Sequence, residues 1–334
     1  MAQRRSRLIA ASAGLAVAAL ALTGCASGAS SDGGAGESSA AFTMGTQPWL
    51  GYGQWYVAED QGFFDERGVS VDISNFDNDA DMNAALAAGH LDMANVGSQA
   101  ALQFVEQGLD VSIVMVLDSA TTADAIIAGD GIESIDDLKG KRVAFEEGAT
   151  SEILLAEALE QSGLDLQQDI EVVPAGADQV ASMLLSGNVD AGVTYEPYVS
   201  QALATDDALR VVQSAEDYPG LISDVLVVRN EVLEQRGDEV REVIAAWGDA
   251  MGYFEANTSE GREVIAKAVG ESAADLETAF DGVHFYTIDE NRDILEGSFA
   301  NETLPSLAEV AERIGLISGD VDAASIIDSS YLGE

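Results

Sequence analysis

The chain has 334 residues, 47% hydrophobic and 22% charged, which allows one large or two medium domains with substantial cores. Fifteen basic residues stand against 59 acidic ones, a formal charge of −44 that would repel nucleic acid and anionic membrane faces. The only cysteine, Cys25, leaves no internal disulfide and no cysteine metal cluster to consider.

In chain order, "MAQRRSRLIAASAGLAVAALALTGC" has a basic start (Arg4, Arg5, Arg7), then an apolar run too short for a comfortable membrane span. This order of regions marks a secretory signal over residues 1–24. Leu22-Thr23-Gly24-Cys25 resembles the bacterial lipoprotein box, which implies lipidation of Cys25; the alternative is a cleaved signal with an incidental cysteine. Removing the signal and its three arginines leaves 12 basic and 59 acidic residues, a balance of −47. The charge reads as a solvated, salt-tolerant surface. Residues 25–41, rich in Gly, Ser and Ala, read as a flexible tether.

From Phe42 strands alternate with helices. "AFTMGTQ" reads as a strand, "QWYVAEDQGFFDERG" as a helix stopped by Gly68, and "VSVDISNF" as an alternating strand. Helix "DADMNAALAAG", strand "LDMANVG", helix "SQAALQFVEQG" and strand "VSIVMVL" follow. The pattern resumes with strand "KRVAFEEG", helix "TSEILLAEALEQSG", strand "IEVVPAG", helix "ADQVASMLLSG" and strand "VDAGVTY". Strands "LRVVQSA" and "SDVLVVRN" close this half, and beyond Glu231 the sequence is mostly helical. Such alternation implies a parallel sheet covered by helices on both faces.

An internal similarity divides the chain. "AALAAGHLDMANVGS" (84–98) aligns with "SMLLSGNVDAGVTYE" (182–196), placing Gly89 on Gly187 and Asp92 on Asp190. Two related α/β lobes are expected, with Gly97-Ser98 and Tyr195-Glu196 at equivalent strand ends. Ligands of open α/β sheets sit beyond the carboxyl ends of the strands. Those ends supply Trp49, Tyr52, Gly97, Ser98, Asp118 and Ser119 from one half, and Thr150, Ser151, Tyr195 and Glu196 from the other. Pro48 and the glycines of "PWLGYG" argue against core packing there, so Trp49 and Tyr52 are expected as an aromatic wall. Trp55, Phe63 and Phe64 are assigned to structure.

"GYGQWYVAEDQGFFDERGVSVDI", "AALAAGHLDMANVG", "ESIDDLKGKRVAFEEGATSEILLAEALEQSGL" and "LLSGNVDAGVTYEPYVSQAL" together resemble one family. It is that of the nitrate/sulfonate/taurine-type substrate-binding proteins of ABC importers, a group that includes binders of thiamine-precursor pyrimidines. The resemblance runs from about residue 43 to 300. It implies a type II periplasmic-binding-protein fold with the ligand in the interlobe cleft and crossover strands near 124–129 and 223–229. Lobe one would be 42–125 and 226–334, and lobe two 126–225. It further implies a monomeric extracytoplasmic receptor without cofactor or metal. That receptor would be held to the membrane by lipid alone and would deliver its solute to permease subunits driven by a separate ATPase.

Residue chemistry offers little to an enzyme of the same fold or a sensor. His90 and His284 are the only histidines, and no HExxH, GxSxG or GxxxxGK occurs. Ser98 and Thr150-Ser151, at helix starts, suit an anion. Yet Lys139, Lys141 and Arg142 lie at the far end of their strand, and the expected pocket is acidic and aromatic, with Asp118, Glu147, Glu196 and Asp224. A small nitrogen-bearing solute is therefore expected, zwitterionic like taurine or a planar aminopyrimidine-like heterocycle. Its nitrogen would be held by Glu196 and Asp118. Nitrate or an alkyl sulfonate held by helix N-termini is the alternative.

Overall fold

The structure is a computed structural model that describes residues 40–319 and 321–333. The signal and residues 25–39 of the tether, including Cys25, lie outside them. The chain runs through β1 (Phe42–Thr46), a 3-10 turn (Leu50–Tyr52), α1 (Gly53–Gln61), α2 (Phe63–Glu66) and β2 (Val71–Asn75). Next come α3 (Asp79–Ala87), β3 (Met93–Gly97), α4 (Ser98–Glu106) and β4 (Val111–Ala120). The middle comprises β5 (Asp124–Ala128), β6 (Arg142–Phe145), α5 (Thr150–Gln161), β7 (Glu171–Pro174), α6 (Val180–Leu185), β8 (Ala191–Tyr195), α7 (Tyr198–Thr205) and β9 (Arg210–Ser214). It ends with β10 (Ser223–Arg229), α8 (Asn230–Ala256), α9 (Thr258–Ala268), β11 (Val283–Phe285), α10 (Ile288–Ile294) and α11 (Leu304–Ile314).

These strands form two sheets, ordered β11-β4-β10-β3-β1-β2 and β7-β6-β8-β5-β9. The continuous apolar runs of β3 and β5 are buried along their whole length, as strands covered on both faces must be. Each sheet has three parallel strands followed by one antiparallel strand, β10 in the first and β5 in the second. The chain therefore crosses at residues 121–123 and returns at 215–222. The expected lobe limits cut into strands. Asp124 pairs with Tyr195 in the second sheet, whereas Ser223 pairs with Ser119 and Val225 with Val96 and Val116 in the first. An apolar strand does not reveal its hydrogen-bond partners in sequence, which is why the limits were displaced by two or three residues.

The aligned repeat has a physical basis. Asp92 Oδ2 accepts from the Thr43 backbone N–H at 2.9 Å, and Asp190 Oδ2 accepts from the Arg142 N–H at 2.9 Å. Each aspartate, ahead of the third strand of its sheet, clamps the start of the neighbouring parallel strand. Gly89 and Gly187, at φ 75° and 69°, supply the left-handed turn that delivers it. In the core of the first lobe, Trp55 and Trp247 pack with ring centroids 4.8 Å apart, joining α1 to α8. Such an aromatic pair adds about 0.5–1.5 kcal/mol beyond burial.

Candidate functional site

Strand register brings the site together. At the edge of the first sheet that faces the second, Asp224 pairs with Gly97 on one side and Asp118 on the other. At the facing edge of the second sheet, Asp124 pairs with Tyr195. Because β5 and β10 run antiparallel to their neighbours, their first residues lie beside the carboxyl ends of β8 and β3. Between these edges is a cavity of about 30 Å³ lined by residues including Gln47, Trp49, Tyr52, Asp79, Gly97 and Asp124 from the first half of the chain. Glu146, Ala149, Thr150, Ser151, Tyr195, Ile222 and Asp224 complete the lining. A volume of that size holds a water or one small polar group, so entry of a larger solute requires the lobes to part.

The lobes meet closely here. The Trp49 and Tyr195 rings contact edge to face at 5.6 Å, and the Asp79 N–H donates to Glu146 Oε1 at 2.9 Å. Away from the cavity, Gln103 Nε2 donates to the Gly148 carbonyl at 2.9 Å, and Arg313 pairs with Glu157 at 2.6 Å. This is a closed arrangement.

The lining contains four carboxyl groups, two from each lobe, and no Lys, Arg or His. Asp224 is pushed up to about 7 by burial, with Tyr52 and Trp49 as opposing donors. Asp79 is pushed to about 8 by burial, then by the charges of Glu146 and Asp224, against the Gln47 side chain. Burial and the neighbouring Asp224 raise Asp124 far above the ordinary carboxylate range. Glu146 is raised by burial although it accepts the Asp79 N–H. Burial also raises Tyr52 and Tyr195, keeping both phenols neutral.

Of the residues expected from sequence, Trp49, Tyr52, Gly97, Thr150, Ser151, Tyr195 and Asp224 line the cavity. Trp49 and Tyr52 are also packed into the core at 4% and 3% exposure, so the Pro/Gly loop does not keep them out of core packing as its composition suggested. Five expected residues do not line the cavity. Asp118 lies beneath the wall, where Trp49 Nε1 donates to its Oδ1 at 3.1 Å and its buried Oδ2 has no hydrogen-bond partner. Ser98 Oγ donates to the Ser223 carbonyl at 2.7 Å, binding α4 to β10. Ser119 Oγ lies 3.4 Å from the Tyr286 hydroxyl, on the β11 side. Glu196 turns along α7, accepting from the Ser200 N–H at 3.0 Å and its Oγ at 2.9 Å. It caps a helix and does not face the solute space. Its neighbour Tyr195 takes the inward position, as alternation along a strand requires. Asp79, Asp124 and Glu146 were missed; Glu146, not Glu147, faces the cavity.

Two α/β sheets joined by two chain crossings, with a cavity between their facing edges, define the periplasmic-binding-protein fold. The E. coli periplasmic aliphatic sulphonate binding protein SsuA shares it, with TM-score 0.72 and 22% identity, over 87% of this chain and 98% of that one. The chain belongs to the family described as NMT1/THI5 like, which matches residues 51–260. A binding protein of Brucella abortus is 25% identical over 277 residues, 82% of this chain and 86% of the relative. The taurine-binding periplasmic protein of E. coli is 25% identical over 198 residues, 59% of this chain and 62% of the relative.

Proposed function

We propose that the protein is the extracytoplasmic solute-binding component of an ABC importer, which closes two lobes on a small nitrogen-bearing solute and presents it to a permease. The observation that carries this reading is the cavity whose walls come from both sheets, with Trp49 and Asp224 on one side and Tyr195 and Asp124 on the other. A solute touching both walls favours the closed form through contacts that the open form lacks. The lobes turn about residues 121–123 and 215–222. Family membership and relatives named for binding sulfonates and taurine support the transport class. A lipid on Cys25 would tether the receptor outside the cytoplasmic membrane.

A second reading takes the relatives' chemistry directly and places an alkyl sulfonate at the start of α5, where Thr150 and Ser151 line the cavity. The importer reading is tested by small-angle scattering with and without candidate solutes that raise the thermal midpoint, taurine and an aminopyrimidine first. Compaction on binding is expected. A stabilising solute that leaves the radius of gyration unchanged overturns lobe closure.

A further inference from the structure

Closing the lobes brings acidic groups together from opposite sides. Asp79 and Asp224 come from the first lobe, and Asp124 and Glu146 from the second. Asp118 lies directly behind Trp49, adding a fifth carboxyl to the same region. Nothing basic among the described lining residues offsets them. Asp124 is 3% exposed, lines the cavity and has no hydrogen-bond donor among the described residues. A buried carboxylate without a donor is costly, and a group of them is costlier because like charges repel.

We infer that the solute is an organic cation whose N–H groups are shared between carboxylates of both lobes, and that the site excludes sulfonates and nitrate. The inference rests on the solute-binding reading and adds the sign of the ligand's charge. The aromatic lining agrees: Trp49, Tyr52 and Tyr195 surround the same cavity, and aromatic rings attract a cation. The helix starts that would have served an anion already have their own acids. Glu146 accepts from the first residue of α3, and Glu152 accepts from the Gly148 N–H ahead of α5 at 2.7 Å. A metal ion is a poorer match, because among the described residues no three acidic, histidine or cysteine side chains converge as a ligand set. The cavity's small volume suits an ammonium, amidinium or guanidinium head, with the remainder of the solute reaching toward the cleft mouth. Both Asp124 and Asp224 lie next to a chain crossing, so the cation bridges the lobes at their hinge. Mutual repulsion holds the unliganded lobes apart, and the ligand's charge removes that repulsion.

The test is a thermal-shift and calorimetric comparison of putrescine and agmatine with methanesulfonate and nitrate, above neutral pH and at low salt. The cations are expected to bind and stabilise, and the anions to do neither. Asp124→Asn should weaken binding of the cationic probe about 10- to 100-fold, the loss of one charge-assisted contact, and Glu146→Gln should weaken it as well. Because Asp124 has no donor among the described residues to lose and its buried charge is itself costly, its asparagine variant should melt no lower than the unliganded parent, which separates a binding defect from a folding defect. Glu196→Gln, outside the cavity lining and acting on Asp124 only through its charge, should change affinity far less than Asp124→Asn does. Stabilisation by methanesulfonate or nitrate in place of the cations overturns the charge assignment and leaves the importer reading intact. Stabilisation by neither class overturns it too, and scattering with the other solutes then judges the importer reading separately. Equal cation binding by the parent, Asp124→Asn and Glu146→Gln overturns the placement of the site.

Discussion

Gly51→Ala is a severe perturbation with a small atom count. A Cβ built at Gly51 would lie 2.2 Å from Asp118 Cγ and Oδ2 and from Trp49 Nε1. Nothing at the end of a flexible chain can absorb that overlap. Asp118 is fully buried on β4 and Trp49 is wedged against Tyr195, so the methyl must separate the Trp49–Asp118 hydrogen bond or shift the turn itself. Overpacking of a dense interior costs about 1–3 kcal/mol. For a domain of this size that corresponds to a fall of ~2–12 °C in melting temperature. The control is Gly252→Ala in the exposed face of α8, where an added Cβ meets nothing within 4 Å. That change should be neutral or stabilising by up to about 1 kcal/mol through helix propensity. Differential scanning fluorimetry on both variants decides the matter. If Gly51→Ala melts within about 1 °C of the parent protein, the close packing inferred from Trp49 and Asp118 is wrong, given the 2–4 °C expected for each kcal/mol.

Three further outcomes follow from the same geometry. Asp79 and Asp224 titrate at about 8 and about 7 in the closed form, against an ordinary value of 3.8. Closure therefore takes up protons: it is most favourable below about pH 4 and loses that advantage as pH rises through 7–8. The ligand-free protein should compact in small-angle scattering as pH falls from about 9 to about 5, and expansion over that range would refute the sign. Asp92→Ala and Asp190→Ala should each cost about 1–3 kcal/mol in urea unfolding, since each leaves a strand N–H without its acceptor; a loss confined to one variant would show that the two clamps are not equivalent. Cys25→Ala should move the protein from the membrane to the soluble extracytoplasmic fraction, and unchanged membrane association would dismiss the lipid anchor.

The alternation of strands and helices was legible because the buried runs, such as "MANVG" and "DAIIA", are bounded by glycine turns and polar caps. The repeat was legible because Gly89-x-x-Asp92 and Gly187-x-x-Asp190 serve the same clamp. Three of the four lining carboxyls were hidden for identifiable reasons. Asp79 sits in "NDAD", which reads as an ordinary helix start, and Asn78 is indeed the residue whose side chain caps α3. Asp124 begins a strand, and its role depends on the pairing with Tyr195 that no local pattern announces. Choosing Glu147 over Glu146 is a slip of one residue at a strand end, and one residue reverses the face. Glu196 failed because its acceptor oxygens are taken by Ser200, one helical turn ahead.

The three tryptophans of the chain occupy very different places. Trp55 and Trp247 pack together, their rings tilted by 59°, inside one lobe, where lobe movement leaves their surroundings unaltered. Trp49 alone touches the opposite lobe, with its indole N–H on Asp118 and its ring against Tyr195. Opening the cleft would strip away the tyrosine and admit water to that one fluorophore. The protein thus carries an optical gauge of its own closure: a red shift and altered quenching from Trp49 on opening, over a constant background from the other two, readable on the unlabelled chain in a stopped-flow cell.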